Sequence, residues 1–463
     1  MRKLVFTLFS VLLLNAQEPI SLDEALKILN SQNLEIKAAT LEVQAAKEKA
    51  DTVSGNNWGK LDLIQDVVNS DSAGNVFGFK LESREATFGD FGFNEFLTPL
   101  GTAIYNASQD VPPSDMSALL ATAPDDLNYP DSRTLYQTKL KYELPIFTGF
   151  QISSYTDIMR SMAKMKSLEK DQVINEKIYQ LRKSYYDMAL LENSIKNLKI
   201  ILANIEKLEI MTNNMIAEGY AKKTDLLEVQ AKKGNVERLI SQMNYNTKLL
   251  YQFVSFLLNQ EVLTIEVPKQ NIEMPLLSDS VIMQNNLDIQ RATTGLGIRE
   301  SMVSAQRSNY YPMIGAFAEI STADDTFLGE ASDHKSYTLG ARLSWNLFNG
   351  GVDSSKVQEA KIQKFKTLSQ VQLAKEGIKL QVTKLRTEVE TQDAEIAFLQ
   401  KELKLANEIY KNYEGRYKEK LSSMSDVIIK QSQQVQKILE LQMAQNKRNE
   451  RIFALIKLAN GDK

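Results

Sequence analysis

Two aspartates, Asp225 and Asp426, are the side chains of this sequence whose repetition most suggests a chemical role. They lie in the matching segments 224–227 and 425–428, each just before an apolar helical pattern. A carboxylate there can accept hydrogen bonds from the first backbone N–H groups of a helix. In a symmetric assembly it can also contribute to a ring of negative charge that attracts cations. The residues alone leave both roles open.

Other reactive residue types are scarce. The chain has no cysteine and a single histidine, His334, between Asp333 and Lys335. These counts exclude disulfides, thiolate nucleophiles, a lipid-bearing N-terminal cysteine, a histidine-based triad and a multi-histidine metal site. The sequence also lacks a phosphate-binding loop, so we predict no enzyme activity, no cofactor and no metal. We expect His334 to be a solvated loop residue.

The first residues predict an exported protein. Two cations, Arg2 and Lys3, precede an apolar run over residues 4–14 and a small residue at Ala16. This pattern is typical of a secretory signal peptide, here residues 1–16, which is too short to span a bilayer. The formal net charge is only −3, which argues against a nucleic-acid partner.

The elements that would position the two aspartates occur twice. Three motifs recur in the same order: residues 33–36 match 286–289, 147–149 match 348–350, and 224–227 match 425–428. The sequence therefore divides into a first structural repeat (17–266), a linker with two prolines (267–275) and a second structural repeat (276–463). The predicted fold class is mixed α and β, with a helix-strand-strand-helix-helix unit duplicated.

Strict alternation of apolar and polar residues predicts four strands. One face carries apolar side chains such as Leu140 and Leu339, and the other carries polar ones such as Lys141 and Arg342. About 11 such residues fit a transmembrane β-strand, and equally a half-buried strand of a soluble sheet. The predicted strands lie near residues 60–68, 135–147, 313–321 and 336–348.

An insertion, residues 69–133, separates the two strands of the first half and has no counterpart in the second. It is rich in Gly, Asp and Phe, and we interpret it as an outer loop, since long external loops are usual in membrane barrels. Within it, residues 76–83 could extend a strand beyond the membrane, and the loop could narrow the mouth of a pore.

Apolar residues at steps of three and four predict long coiled-coil helices. The two longest hold roughly 66 residues each, or about 100 Å at 1.5 Å per residue, and the shorter ones roughly half of that. Two shorter helices stacked end to end would therefore equal one long helix. The predicted N-caps of the long helices are Ser153, Asp353 and Ser354. The helices are expected at residues 22–54, 153–218, 225–258, 354–420 and 426–459.

Four strands cannot close a barrel, because about eight are needed even for a narrow one. An open sheet edge cannot face lipid either, since its backbone groups would stay unsatisfied. A membrane-spanning form of this chain must therefore oligomerise. Two copies would give eight strands and three would give twelve.

These features together resemble the TolC family of outer-membrane efflux channels. The resemblance rests on the doubled strand-Phe-x-Gly-helix junction (residues 145–149 and 346–351), the signal peptide and the helix lengths. It implies a homotrimer with a 12-stranded transmembrane β-barrel that continues into a long α-helical coiled-coil tunnel. It also implies contact with outer membrane lipid, a periplasmic adaptor protein, and an inner-membrane pump of the RND, ABC or MFS type.

The resemblance also assigns positions to three groups of candidate residues. The barrel-helix junctions would lie at the membrane interface and contain Phe147, Gly149, Phe348, Gly350 and Gly351. The periplasmic tips would contact the adaptor through exposed residues: Gly219, Tyr220, Ala221, Lys222, Leu421, Ser422, Ser423 and Met424. The periplasmic entrance, or gate, would be formed by Asp426, Asp225, Glu228 and Tyr417.

Within this entrance the resemblance favours Asp426 for an acidic ring, because the second-half hairpin lies inside in this family. Tyr417 could hydrogen-bond Asp225 and hold the tip closed. The alternatives are helix capping for both aspartates and a place in the coiled-coil seam for Tyr417.

The predicted function is the passive outer-membrane exit duct of a tripartite efflux or type I secretion system, extending into the periplasm. Cargo would be selected largely by the pump. The alternative is a periplasmic or surface coiled-coil scaffold that forms no pore, which solubility without detergent would favour.

Overall fold

The computed structural model describes residues 19–109, 120–268, 272–329 and 332–461. The predicted signal peptide, residues 1–16, lies outside the described residues. The described chain is mainly helical and contains one four-stranded antiparallel sheet. Among its helices, none combines the length and the apolar composition that a bilayer span requires.

Helices and strands are interspersed along the chain. The helices are α1 Leu22–Gln32, α2 Leu34–Gly55, α3 Ala73–Glu82, α4 Phe93–Ser108, α5 Asp125–Asn128, α6 Gln151–Ala217, α7 Lys223–Leu258, α8 Asp279–Asn285, α9 Leu287–Arg307, α10 Val352–Lys418 and α11 Met424–Leu458. The strands are β1 Lys60–Ser70, β2 Arg133–Phe147, β3 Met313–Asp324 and β4 Lys335–Ser344.

The chain forms two compact units. The helical unit comprises Met1–Lys47, Arg160–Arg299 and Gln363–Lys463. The strand unit comprises Glu48–Met159 and Glu300–Ile362, and contains the whole sheet and the inserted segment. Each unit takes segments from both halves of the sequence, so neither unit corresponds to one of the predicted repeats.

The sheet has the order β1-β2-β3-β4 and keeps its two faces chemically distinct. One row across the four strands consists of Leu63, Leu140, Ile320 and Tyr337. The adjacent row consists of Asp62, Lys141, Glu319 and Thr338. Because successive residues of a strand point to opposite faces, the first row belongs to an apolar face and the second to a polar face.

Strand β4 is shorter than the sequence predicts. It ends at Ser344, which pairs with Met313 at the start of β3, rather than near residue 348. The residue before Met313 is Pro312, which has no backbone N–H to continue the ladder. The Trp345 side chain instead donates a hydrogen bond from its indole Nε1 to the Tyr310 carbonyl at 3.2 Å.

Residues 76–83 form a helix, not the predicted strand extension. They lie in α3 and its C-terminal end, and the two buried residues, Val76 and Ser83, are seven positions apart. That separation is two helical turns, so both side chains lie on one face of α3. The strand prediction was therefore wrong.

The long helices, α6 and α10, hold 67 residues each and begin earlier than predicted, at Gln151 and Val352. The side chains of the residues ahead of them accept the first hydrogen bonds. Thr148 Oγ1 accepts from the Ile152 N–H at 3.4 Å. Asn349 Oδ1 accepts from the Asp353 N–H at 3.5 Å. The predicted N-caps Ser153, Asp353 and Ser354 thus lie inside the helices.

Two buried asparagines join helices end to end in the helical unit. Asn33 donates from its amide Nδ2 to the Leu257 carbonyl at the end of α7 (2.8 Å), and its Oδ1 accepts from the Ile36 N–H in α2 (3.0 Å). Asn286 repeats this arrangement with the Leu458 carbonyl of α11 (3.0 Å) and the Ile289 N–H of α9 (3.1 Å). The repeated motif of residues 33–36 and 286–289 is therefore a helix-to-helix joint.

Candidate functional site

Each strand-to-helix junction turns through two consecutive residues with positive φ. The values are +62° for Gly149 and +67° for Phe150, and +66° for Gly350 and +85° for Gly351. Glycine adopts this left-handed region without steric cost, whereas an L side chain is strained by about 1–2 kcal/mol. The two junctions therefore share one backbone bend, and Phe150 is its strained member.

Aromatic contacts surround the first junction. The Phe150 ring contacts the Phe147 ring edge-on, with centroids 5.3 Å apart, and the Tyr311 ring at 5.6 Å. Such pairs contribute about 0.5–1.5 kcal/mol each, which offsets the backbone strain at Phe150. At the second junction Phe348 is 86% exposed. Phe147 and Phe348 thus match in sequence but lie in different surroundings.

The two junction glycines give a direct test of local packing. A Cβ at Gly149 would lie 2.6 Å from the Ser308 carbonyl oxygen and 2.9 Å from Tyr311 Cβ, whereas no described atom lies within 4 Å of the corresponding position at Gly350. We expect Gly350→Ala to cost about 1–2 kcal/mol from the positive φ alone. Gly149→Ala should cost about 1–3 kcal/mol more from overlap. Denaturant unfolding of the two purified variants measures the difference, and equal losses would contradict it.

The two helix tips share a turn geometry. After α6, Gly219 has φ +77° and the Tyr220 N–H donates to the Met215 carbonyl at 2.7 Å. After α10, Lys420 has φ +62° and the Leu421 N–H donates to the Arg416 carbonyl at 2.8 Å. A left-handed residue of this kind ends many helices. The ammonium of Lys420 lies 3.2 Å from the centroid of the Tyr220 ring, so the tips also contact each other.

Most of the predicted tip residues are at least partly exposed, but Met424 is not. Tyr220 is 60% and Leu421 is 68% exposed, whereas Met424 is 2% exposed and belongs to the apolar cluster that fills the tip. Met424 is the first residue of α11, and the cluster that contains its side chain also contains Leu208 of α6, Val229 of α7 and Tyr417 of α10. The expectation that it would be an exposed contact residue was therefore wrong.

Both aspartates act as helix caps. The Asp225 carboxylate accepts from the Lys222 N–H at 2.8 Å, three residues earlier. Asp426 accepts from the Ser423 N–H at 3.2 Å and from the Ser423 hydroxyl at 2.6 Å. These hydrogen bonds, the one from the Ser423 hydroxyl foremost, lower the pKa of Asp426 below its ordinary value of 3.8. Asp426 remains exposed to solvent and is ionised at neutral pH.

Capping by Asp426 predicts a pH-dependent stability. A carboxylate with a lowered pKa in the folded state stabilises the fold above its ordinary pKa, and that contribution is lost as the pH falls through the folded value. We expect Asp426→Asn to be less stable than the wild type at pH 7 and to match it in strong acid. Thermal unfolding at both pH values measures this. Asp51→Asn, at an exposed aspartate, serves as the control because it should remove no capping bond. If Asp426→Asn remains less stable than the wild type in strong acid, the loss does not come from the charged cap.

Tyr417 is buried and lies close to Thr212 rather than bonding to Asp225. Its hydroxyl is 3.5 Å from Thr212 Oγ1, and Thr212 Oγ1 donates in turn to the Leu208 carbonyl at 2.7 Å. Burial raises the pKa of Tyr417, and the negative charge of Asp225 adds to this. Tyr417 therefore lies in the helical seam, and the suggested bond to Asp225 is not formed. Glu228 is exposed on the first turns of α7.

A buried polar pair in the tip was not found by sequence reasoning. Gln431 on α11 is fully buried, and Tyr410 on α10 is 3% exposed. Neither the Gln431 amide nor the Tyr410 hydroxyl has a hydrogen-bond partner among the described protein atoms. Gln434, one turn after Gln431, bonds Asn407, one turn before Tyr410, which places the pair at about the same level of the hairpin. Gln431 occupies a position in the apolar seam of α11, and a glutamine at such a position could have indicated a buried polar group.

We expect Gln431→Met to stabilise the tip. A buried amide without a partner costs about 1–3 kcal/mol, and methionine has a similar volume without that cost. The free energy of unfolding should therefore rise by about 1 kcal/mol. The exposed Gln433 supplies the control, since Gln433→Met should change stability by less than about 0.5 kcal/mol. A loss of stability in Gln431→Met would mean that the wild-type amide makes a favourable hydrogen bond.

His334 is buried, contrary to the sequence expectation. It is 8% exposed, and its Nδ1 lies 3.7 Å from Oδ2 of Asp324, which is itself 6% exposed. The β3–β4 turn brings them together, because Asp324 ends β3 and Lys335, next to His334, begins β4. This contact could not be predicted from the sequence, since the polar neighbours of His334 suggested a solvated loop.

A family comparison matches the second half of the chain. Residues 280–461 match the family model described as outer membrane efflux protein. The matched range contains the second junction and the second tip with Asp426. Among curated protein sequences, no significant match was found.

Solved structures match nearly the whole chain. CusC superposes with a TM-score of 0.76 at 13% identity over 95% of this chain and 91% of CusC. VceC of Vibrio cholerae superposes with a TM-score of 0.73 at 14% identity, over 95% of this chain and 96% of VceC. The CmeC outer membrane channel of Campylobacter jejuni superposes with a TM-score of 0.74 at 12% identity, over 95% of this chain and 85% of CmeC. At such identities the likeness establishes the fold.

Proposed function

We propose, from the premise that the chain belongs to the outer membrane efflux protein family, that it is the passive exit duct of an efflux or secretion system. In this proposal the strand unit lies in the outer membrane and the helical unit lies in the periplasm. The chain itself carries out no reaction, because transport through a duct needs only a path and an external source of energy.

The apolar face of the sheet carries this proposal. Its side chains are exposed in the single chain: Leu63 and Leu339 are each 75% exposed and Tyr337 is 83% exposed. Large contiguous apolar surfaces are rare on soluble monomers and mark contacts with lipid or protein. A lipid-facing wall accounts for why a strand would place leucine and tyrosine outward at every second position.

The opposite face of the sheet is suited to water. Lys139 pairs with Asp66 at 3.0 Å, and Lys141 pairs with Glu143 at 2.6 Å. Charged side chains in a membrane barrel belong on the lumen side, where water solvates them. The two faces together therefore support a wall between lipid and an aqueous pore.

Closure of that wall requires further copies of the chain. Strands β1 and β4 are the edges of the sheet, and their outer backbone groups would be unsatisfied in lipid. Three copies would join edge to edge into a 12-stranded barrel, the homotrimer that the family resemblance implies. Apolar stripes on α7 and α10 support helix packing between copies: Tyr245, Leu249, Phe253, Phe256, Ile362, Phe365, Leu373 and Leu380 are all exposed.

At the periplasmic entrance, we propose that the three copies of Asp426 form an acidic ring. The capping bonds from Ser423 hold the carboxylate in one position and keep it ionised. Isoleucine follows one turn later, at Ile429, so α11 adds no second acid at that position. A ring of this kind favours cations over anions.

The partners belong to the same proposal. The exposed tip residues Tyr220, Lys222 and Leu421 offer an aromatic, a cationic and an apolar contact to a periplasmic adaptor. The adaptor would connect the duct to an inner-membrane pump, which selects and drives the cargo. Drug or metal efflux and type I protein secretion both agree with this arrangement.

Single-channel conductance in planar bilayers tests the proposal. We expect the detergent-purified protein to form cation-preferring channels and Asp426→Asn to reduce that preference. Asp225→Asn is the matched control, since it removes the equivalent cap from the first hairpin and should leave the preference unchanged. If both variants change the cation preference equally, Asp426 serves only as a helix cap. A protein that is soluble without detergent and forms no channel would support the coiled-coil scaffold instead.

A further inference from the structure

Helix α3 packs against the polar face of the sheet, at the end away from the strand-to-helix junctions. Gln137 donates from Nε2 to Glu82 Oε2 at the end of α3, at 3.1 Å. Gln137 is two and four residues before Lys139 and Lys141, so its side chain lies on the same polar face. It is near the start of β2, whereas the junction at Gly149 follows the end of that strand. The contacts of α3 with β2 and β3 are thus at the outer end of the sheet.

Burial shows that α3 covers this face and not the other. Val76 of α3 is 3% exposed, and two residues of the polar face, Leu135 and Ala323, are 4% and 3% exposed. At the same level of the sheet, Val67 lies on the apolar face, where it is 56% exposed. The helix therefore shields only the face that would border water in a barrel.

Polar contacts anchor the end of α3 to the strands. Arg133, the first residue of β2, donates from Nη2 to Ser83 Oγ at 3.2 Å and forms an ion pair with Glu85. Arg84 donates from Nη2 to the Lys335 carbonyl at the start of β4, at 2.6 Å. Together with the Gln137–Glu82 bond, these contacts tie the segment to two strands. Its position is therefore fixed by specific bonds.

A second layer lies on top of α3. The Phe77 ring of α3 contacts the Phe91 ring edge-on, with centroids 4.9 Å apart. Lys80 of α3 forms an ion pair with Asp90. Residues 89–91 form a short 3₁₀ turn, so α3 is held between this turn and the sheet. Helix α3 and this turn together fill more of the space beside the polar face than a single loop at the edge of the sheet would.

We propose that α3 lies inside the outer mouth of the pore and forms a constriction there, separate from the acidic entrance proposed at Asp426. This inference rests on the proposed function, because it requires the polar face to line the pore. An α-helix with its side chains is about 10–12 Å across. One such helix from each subunit would narrow the barrel, and departing solutes would pass the exposed side of α3, which includes Asn75 and Leu81.

Site-specific thiol labelling tests the location of α3. The chain has no cysteine, so a single introduced thiol is the only target for a methanethiosulfonate reagent. Leu81→Cys places the thiol on the exposed side of α3, and Asn75→Cys is a second exposed position in the same helix. Val67→Cys is the matched control at the same level, on the opposite face of the sheet. The readout is single-channel conductance before and after a bulky cationic reagent is added.

We expect the reagent to lower the conductance of Leu81→Cys and Asn75→Cys in steps, one for each labelled subunit, and to leave Val67→Cys unchanged. If the wild type conducts but labelling of both α3 positions changes nothing, α3 does not border the pore and this inference is wrong, while the proposed duct stands. If the wild type forms no channel, the proposed function fails and the constriction fails with it.

A release variant gives an independent measurement. Glu82→Ala combined with Arg84→Ala removes two of the bonds that hold α3 against β2 and β4. The freed helix should obstruct the mouth less, so we expect a larger single-channel conductance than in the wild type. Glu48→Ala combined with Lys49→Ala alters two exposed charges of α2 and serves as the control. An unchanged conductance in the release variant, with intact channels, would contradict a constriction by α3.

Discussion

The architecture depends on how two buried asparagines satisfy helix ends. A helix leaves four carbonyls unpaired at its C-terminus and four N–H groups unpaired at its N-terminus. Asn33 and Asn286 each bond a carbonyl at the end of one helix and at least one N–H group at the start of another, so one helix continues where another ends. The joined helices hold 36 and 22 residues in one half and 35 and 21 in the other, so each joined pair covers most of the 67-residue length of α6 or α10. Without these joints the shorter helices would have buried ends with unsatisfied backbone groups. They could then not pair up to approach the length of the long helices.

Local periodicity made much of this fold readable from sequence. The long helices begin within three residues of the expected positions because their apolar seams run unbroken, and the strands follow from strict alternation. Features that depend on distant contacts could not be read in this way. The residues of α3 suggested a strand because its helical face is defined by β2 and β3, which lie far away in sequence. The burial of His334 likewise depends on Asp324, and that of Met424 on the tip cluster.

The Asp426 carboxylate is suited to two roles, as a helix cap and as an exposed negative charge. A cap must point at backbone N–H groups, and a pore-lining acid must remain exposed and ionised. Asp426 meets both requirements because only one edge of its carboxylate is used by Ser423. Asp225 makes the equivalent cap in the first half, so sequence repetition alone could not distinguish the two. Any difference between them arises from the surroundings of each hairpin, which repetition does not encode.

The unequal packing of the two junctions has a mechanical consequence. At Gly149 the bend is wedged against the Ser308 carbonyl and Tyr311, and the Phe150 ring locks it from the side. At Gly350 and Gly351 the same bend is made by two residues without side chains and with open space around them. The first junction is therefore stiff and the second compliant. A force applied along the helices would therefore bend the chain mainly at residues 349–351. The second junction would act as a hinge, whereas the first would keep its angle.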